Sequence, residues 1–303
     1  MPPHSLDVRP EVAAALKAGQ PVVGLSSAAI GHSLPWPDNL EVARLAQSAA
    51  QGEGAILAVI AVWQGRLTVG LSNSEIEALA HGASTRRAIR RDLATMVVRG
   101  ATAATAVSAS ICIAHHAGLS LLVTGAIGGV AHGAANRLDL SSDLVELSRT
   151  PIAVVSAGAR SVLDLEQTAE MLEGYSVPVL GYGTDSFPFF YERPTNQMAS
   201  ARVDTPEQAA ALLRTHWEMG GAGIVVAQPT PEQVALSPDE LYPAFEDVKK
   251  QAAASKVRSR DFPPFLMERL NRLTKGRAIR AYRAILEANA RLAAQIARAL
   301  ASK

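Results

Sequence analysis

The sequence predicts an α/β fold, a mostly parallel sheet covered by helices on both faces. Short, almost wholly apolar runs alternate along the chain with longer segments of helical period. Runs that are apolar on both sides suit strands buried on both faces, as in a parallel sheet between helical layers. The 303 residues, 48% of them apolar, are ample for a sizeable core.

In chain order, Val22–Ser26 reads as the first strand. Asp38-Asn39 are placed to cap a helix through about Gln51. Ala55–Trp63 and Arg66–Leu71 flank Gln64-Gly65, which predicts a β-hairpin. Ser74 with Glu77 reads as a capping box for a short helix to about Ala80. Thr102–Ala117 is Ala-rich and almost uncharged, the pattern of a buried helix, with His115-His116 at its C-terminal dipole. Leu121–Thr124 is a strand entering the glycine-rich turn Gly125–Gly133. Pro151–Ser156, Val177–Tyr182 and Gly223–Ala227 are further strands, separated by helices over Val162–Glu173 and Pro206–Met219. From Pro238 the pattern is helical and ends in a long helix, about Ala278–Ala301. The chain thus reads as one α/β domain, 1–303, with a helical extension over about 238–303. Ala254–Pro264 is the best boundary candidate, or else an ordinary loop.

Charge and composition exclude several functions. Lys and Arg number 29 against 28 Asp and Glu, a net charge of +1, so nothing points to nucleic acid or an anionic membrane. Aromatics at 5% offer no base-stacking surface. The lone Cys112 excludes a disulfide framework and a cysteine-built metal cluster. No signal-peptide pattern opens the sequence and no apolar run is long enough to span a bilayer, so a cytoplasmic location is expected. Only six lysines occur, and none lies between residues 18 and 248.

Four segments could carry chemistry. Val123–Ala134 follows a strand, and its glycines let the backbone approach a ligand or cradle a phosphate; a tight structural turn is the plainer reading. Leu138–Pro151 places Asp139, Ser141 and Asp143 at alternate positions, which share a face in an extended stretch. They suit a hydrated hard cation or sugar hydroxyls, unless Ser141 or Ser142 caps a helix with Glu146 pointing outward. His32 lies in a proline-stiffened turn between strand and helix. Ala157–Arg160 follows a buried strand, where α/β ligands collect, and a buried Arg160 there needs an anionic partner.

Together these segments resemble the pseudouridine-5′-phosphate glycosidase family, also called indigoidine-synthase-A-like. The stretches that carry the resemblance include HSLPWPDNLEVA, TVGLSNSEIEALA, GATAATAVSASICIAHHAG, VTGAIGGVAHGA, LDLSSDLVELSRTPIAVVSAGARSVLDL, VPVLGYGTDSFPFFYER and NARLAAQIA, in order over nearly the whole chain. The resemblance implies an α/β/α sandwich, a homotrimer, and cleavage of the C–C glycosidic bond of pseudouridine 5′-phosphate to uracil and ribose 5-phosphate with a divalent metal, often manganese. A few relatives in antibiotic pathways run similar chemistry towards bond formation. The family mechanism uses one Lys that forms an imine with ring-opened ribose, a second Lys, and a proton-shuttling Glu.

By that resemblance the imine position is Arg160, the second Lys position is Arg87, the Glu position is Ser26, and the His-Arg pair of the glycine turn reads Ala131-His132. Asp139 matches the metal-site Asp, for manganese or magnesium. Ser141, Asp143, Thr124, Gly128, Gly129, His32, Asn39, Val107 and Asn289 match the remaining substrate-site pattern, and Gln228 replaces an Asn. Arginine has no free amine lone pair and cannot form the imine. A serine hydroxyl is too weak an acid or base, unaided, to replace a carboxylate. Three readings follow: an enzyme of specialised metabolism running non-imine chemistry on a small anionic or polyketide-like substrate; a C-glycosidase or C-glycosynthase on ribose 5-phosphate; or a non-catalytic binding or scaffold protein.

Overall fold

The computed structural model describes residues 5–82, 86–132, 139–193, 195–255, 257 and 262–302. Gly133, Ala134, Leu138 and residues 256 and 258–261 of the boundary stretch lie outside the described residues. The chain begins with β1 (Leu6–Val8), α1 (Pro10–Lys17) and β2 (Val22–Ser26), then a π-helical turn, Ala29–Ser33, and α2 (Asp38–Gly52). Next come β3 (Ile56–Trp63), β4 (Arg66–Val69), α3 (Asn73–His81), β5 (Arg86–Ala88), α4 (Leu93–Val98), β6 (Ala103–Thr105) and α5 (Val107–His116). The middle holds β7 (Leu121–Val123), β8 (Val130–Ala131), α6 (Ser142–Leu147), β9 (Ala153–Ser156), β10 (Leu163–Asp164), α7 (Leu165–Gly174), β11 (Val179–Tyr182) and β12 (Ala201–Val203). The last part holds α8 (Pro206–Glu218), β13 (Ile224–Ala227), α9 (Pro238–Ala254), α10 (Phe262–Leu273) and α11 (Arg277–Ala301).

The main sheet runs β1-β4-β3-β2-β7-β9-β13-β11-β12, with β6 beside β3 and β5 beside β6. Every pairing from β3 through β2 to β12 is parallel, and β3 is antiparallel only to β4 and β6. Strand side chains alternate between the two faces. Val23, Leu25 and Val59 join α2, α8 and α11 on one side; Val22, Ala58 and Ile60 join α1, α5 and α7 on the other. This is the α/β/α sandwich that the alternating pattern predicts.

Local chemistry sets the details. The β3–β4 hairpin turns on Gln64 and Gly65, both left-handed at φ 49° and 77°, which suits the right-handed twist of paired strands. The capping box of α3 is Ser72 with Glu75, not Ser74 with Glu77: Glu75 N donates to Ser72 Oγ at 3.3 Å, and Ser72 N to Glu75 Oε2 at 2.8 Å. Helix α2 starts behind Pro37 without a side-chain cap, so Asp38-Asn39 are inside it rather than capping it. The expected helix over Thr102–Ala117 is shorter, because Ala103–Thr105 is drawn into the sheet between β3 and β5. The helix expected from Val162 begins at Leu165, because Leu163-Asp164 pairs with β8. Helix α11 packs on the sheet against α2 and α8, while α10 packs on α11 and on the π-helical turn, and α9 packs on α10.

Asn39 is buried and fully used. Its Nδ2 donates to Ile30 O at 2.7 Å and Ala80 O at 2.9 Å, and its Oδ1 accepts from Leu40 N at 2.9 Å. It ties the π-helical turn to the end of α3. Asn39→Ala strands two buried carbonyls, so a loss of about 2–4 kcal/mol is expected. Urea unfolding checks this, and a change below about 0.5 kcal/mol contradicts the role.

Candidate active site

Parallel strands of an open α/β sheet present ligands at their C-terminal ends. Here β2 ends at Ser26, β7 runs into Thr124, and β9 runs through Ser156 into Arg160. The turns after β7 and β9 are stitched together. Ala157 N donates to Gly125 O at 2.9 Å, Ile127 N to Gly158 O at 2.9 Å, and Arg160 N to Ile127 O at 3.3 Å. Gly158 has φ 77°, and a Cβ there would lie 1.8 Å from Pro188 O, so only glycine fits.

A cavity of about 100 Å³ opens on this edge. Ser26, Thr124, Arg160 and Ser161 form its polar floor, with Val107 at the start of α5 beside them. The opposite wall is apolar: Phe245 from α9, Phe262, Leu266 and Met267 from α10, and Tyr282 from α11. Phe190 closes one side at φ 41°, a strained backbone for a bulky residue. Two bonds hold it there: Phe190 N donates to Ala157 O at 2.9 Å, and the Thr230 hydroxyl donates to Phe190 O.

Below the floor sits Asp143, fully buried. Its Oδ1 accepts from Ser108 N and its Oδ2 from Gly128 N, both at 2.9 Å. Ser141 Oγ caps α6 by accepting from Asp143 N at 3.2 Å. A Cβ at Gly128 would stand 2.1 Å from Ser141 Oγ, and one at Gly129 would stand 2.4 Å from Thr168 Oγ1. Gly128, Gly129, Ser141 and Asp143 therefore form one layer that shapes the turn. Asp139, Ser141 and Asp143 do not share a face as expected, because the chain enters α6 at Ser142, leaving Asp139 exposed and Asp143 buried. Glu146 is not outward either: it is 3% exposed, accepts from Arg149 Nε at 3.0 Å and Thr150 Oγ1 at 3.1 Å, and faces Arg90.

Arg87 and Arg160 are close enough to repel. Burial first, and the charge of Arg160 second, lower Arg87 to about 10, against the pull of Asp143 and Asp92. Arg87 is still a cation at neutral pH. Among the described residues neither guanidinium has a hydrogen-bonded or ion-paired partner. Ser26 Oγ donates to Thr105 O at 2.9 Å, so its proton is committed to the backbone.

The other expected site residues are placed elsewhere. Asn289 Nδ2 donates to Thr124 O at 2.9 Å, fixing α11 to the glycine turn. Gln228 N donates to Ser156 O at 2.8 Å, and its buried Oε1 has no partner among the described residues. His32 is half-buried, one residue before the cavity-lining Ser33. His132 is exposed beside Asp164, its Nδ1 3.6 Å from Asp164 Oδ2. Among the described residues no three His, Cys, Asp or Glu side chains gather as a metal site. Asp139 alone is one exposed carboxylate, and both oxygens of Asp143 are taken by backbone N–H groups. That set does not fit a tightly held manganese or magnesium ion, and no step is derived through one.

Residues 11–299 match the family described as indigoidine synthase A like protein. The chain belongs to this family. It is 39% identical to the pseudouridine-5′-phosphate glycosidase of Petrotoga mobilis over 97% of this chain and 96% of that one. It is 44% identical to pseudouridine-5′-phosphate glycosidase 2 of Rhizobium johnstonii, over 96% and 94%. Two solved structures of the same fold are the prealnumycin C-glycosynthase AlnA in complex with ribulose 5-phosphate (TM-score 0.90, 34% identity, covering 99% of this chain and 98% of that one) and an indigoidine synthase A-like protein of Thermotoga maritima (TM-score 0.88, 32% identity, 97% of each).

Sequence reasoning missed the apolar wall of this indigoidine synthase A-like pocket, and Tyr282 and Glu192 with it. The signal for the wall was the run Phe189-Phe190-Tyr191 in a chain with few aromatics. Glu192, next in the chain, is 4% exposed, and its Oε1 has no partner among the described residues. Its Oε2 accepts from the Tyr242 hydroxyl at 3.1 Å. Burial pushes it from the ordinary 4.5 up to about 7, against the pull of the Tyr242 and Ser161 hydroxyls. Between about pH 4.5 and 7 the folded chain keeps a proton that the unfolded chain has released. Stability therefore falls as pH rises through that window and levels off above 7, by at most about 3.5 kcal/mol at roughly 1.4 kcal/mol per pH unit. Glu192→Gln should flatten this slope in urea midpoints measured from pH 4.5 to 8. Equal slopes in both proteins would contradict it.

Proposed function

We propose that the chain is a C–C-bond enzyme acting on a pentose phosphate without an imine, in a setting of specialised metabolism. One observation carries this: Arg160, in the floor of the cavity, and Arg87 close by are cations that repel each other, and among the described residues neither makes a hydrogen bond or an ion pair, Asp143 and Asp92 acting on Arg87 without pairing with it. Two buried or half-buried guanidiniums that repel each other need a counter-charge, and a phosphate or carboxylate supplies it bidentately. The same donors stabilise an oxyanion that develops during reaction, with no covalent bond to the enzyme. The apolar wall of Phe245, Phe262, Leu266 and Met267 suits a partner less polar than uracil. The reading takes the protein as a cytoplasmic homotrimer, with small-molecule substrates and no nucleic acid or membrane. Among the described residues no helix is long and apolar enough to cross a membrane.

A second reading, C-glycosynthase, is favoured by AlnA, a C-glycosynthase whose structure holds ribulose 5-phosphate and whose fold matches along almost the full chain. Direction distinguishes it: a synthase consumes the pentose phosphate, a glycosidase releases it.

Titration calorimetry with inorganic phosphate and ribose 5-phosphate tests the anion site. Wild type should bind both, and Arg160→Ala should weaken both by about 10- to 100-fold, the scale of hydrogen bonds to a charged group. Wild type should leave pseudouridine 5′-phosphate uncleaved. It should also keep its mass after treatment with ribose 5-phosphate and borohydride. A reduced sugar adduct on any residue would sink the non-imine reading. The triple variant Ser26→Glu, Arg87→Lys, Arg160→Lys restores the groups that the resemblance implies. Cleavage by that variant alone shows an intact pocket with altered chemistry, whereas a variant that neither binds nor cleaves counts against an enzymatic pocket.

A further inference from the structure

Tyr282 lies on the sheet-facing side of α11, its ring edge-on to Phe190 with centroids 5.3 Å apart at 75°. Its hydroxyl reaches over the glycine turn: a Cβ on Gly125 would stand 2.9 Å from it. Two helical turns further on, Asn289 bonds Thr124 O, so helix and turn are fixed to one another and the phenol has little freedom to withdraw.

Tyr282 lines the cavity, yet its hydroxyl makes no hydrogen bond with any described residue. A phenol enclosed by apolar side chains ordinarily finds a partner for its proton. Two hydroxyls of the floor are already used: Ser26 donates to Thr105 O, and Ser161 donates to Phe189 O at 2.7 Å. Burial pushes Tyr282 up to about 12, with the charge of Arg160 pulling the other way. The group is thus a neutral donor at physiological pH, next to a permanent cation.

We propose that Tyr282 is a substrate-contacting residue that donates an uncharged hydrogen bond to a carbonyl or hydroxyl oxygen of the sugar portion, beside Arg160. The inference rests on the pentose-phosphate reading above and divides the labour within that site. The guanidiniums take the anionic end, which draws charged donors most strongly. The phenol takes a neutral oxygen, for which a charged donor discriminates poorly against phosphate. A carbonyl held between Tyr282 and Arg160 is polarised by both without either changing its protonation state.

Titration calorimetry of wild type and Tyr282→Phe with two probes, inorganic phosphate and ribose 5-phosphate, decides it. Phenylalanine keeps the ring contact with Phe190, and the lost hydroxyl has no described protein partner, so the melting temperature should stay within about 2 °C. Phosphate affinity should change by less than about twofold. Ribose 5-phosphate affinity should fall by about 3- to 10-fold, the worth of one neutral hydrogen bond. Unchanged ribose 5-phosphate affinity overturns the inference, and so does equal weakening for both probes, which would place the hydroxyl on the anion or in the fold. Wild type that binds neither probe overturns the pentose-phosphate reading itself and takes this inference with it.

Discussion

The site depends on one buried carboxylate. Asp143 has no solvent contact, and it accepts hydrogen bonds from the backbone of two separate segments, Ser108 at the start of α5 and Gly128 in the turn after β7. A third segment, the entry to α6, carries it. A buried carboxylate left without donors costs several kcal/mol, so these three segments are stable only together. Nothing larger than glycine fits at position 128, because Ser141 and the carboxylate itself occupy the space. The turn therefore takes a single path, and its next residues bond in register with the turn after β9. The backbone that carries Thr124 and the backbone that carries Arg160 are set by the same knot.

Strain elsewhere is held by that rigidity. Phe190 keeps a left-handed backbone only because Ala157 O and the Thr230 hydroxyl take its polar groups, and Ala157 is itself bonded to Gly125. A bulky residue in that conformation costs of order 1–3 kcal/mol. The return is a wall placed against the ring of Tyr282 and facing the cavity. The polar floor comes from strand ends fixed by the sheet. The apolar wall comes from α9, α10 and α11, which only α11 anchors to the sheet. One side of the pocket is thus set by the sheet and the other by helix packing, so the apolar wall can change without disturbing the polar floor.

Much of the fold was legible because its signals are local. Gln64-Gly65 between two apolar runs admits little but a hairpin, and wholly apolar runs separated by helical segments admit little but a covered parallel sheet. Where two local signals overlap, the sequence misleads: Ser72/Glu75 and Ser74/Glu77 both fit a capping box, and only the phase of Ile76 and Leu79 against the core selects the first. Ala103–Thr105 has helical composition and becomes a strand because β3 and β5 lie on either side of it. In the site, glycines and asparagines were legible as special positions but not as to role. Asn39 and Asn289 spend their amides on backbone carbonyls, which no spacing reveals. Glu146 read as solvent-facing because Arg90 lies 56 residues before it in the chain, and Tyr282 was hidden in a helix whose periodicity it satisfies like any core residue.

The exchange of amines for guanidiniums, which the family resemblance implies at positions 87 and 160, can be weighed physically. For an amine to attack a carbonyl it must lose its proton near neutral pH, and burial beside a second cation is what brings that about. Arg87 records both influences: burial and Arg160 together draw it down to about 10, with Asp143 and Asp92 opposing them. The same surroundings around a lysine would drive its amine down toward neutrality and free its lone pair. Around an arginine they leave a cation, because its ordinary value starts too high. At position 87, which the resemblance pairs with the second lysine and not with the imine-forming one, this field therefore acts on a group that cannot give up its proton. What the field does to a guanidinium is raise the cost of leaving it unpaired, and so increase the gain from any anion that enters.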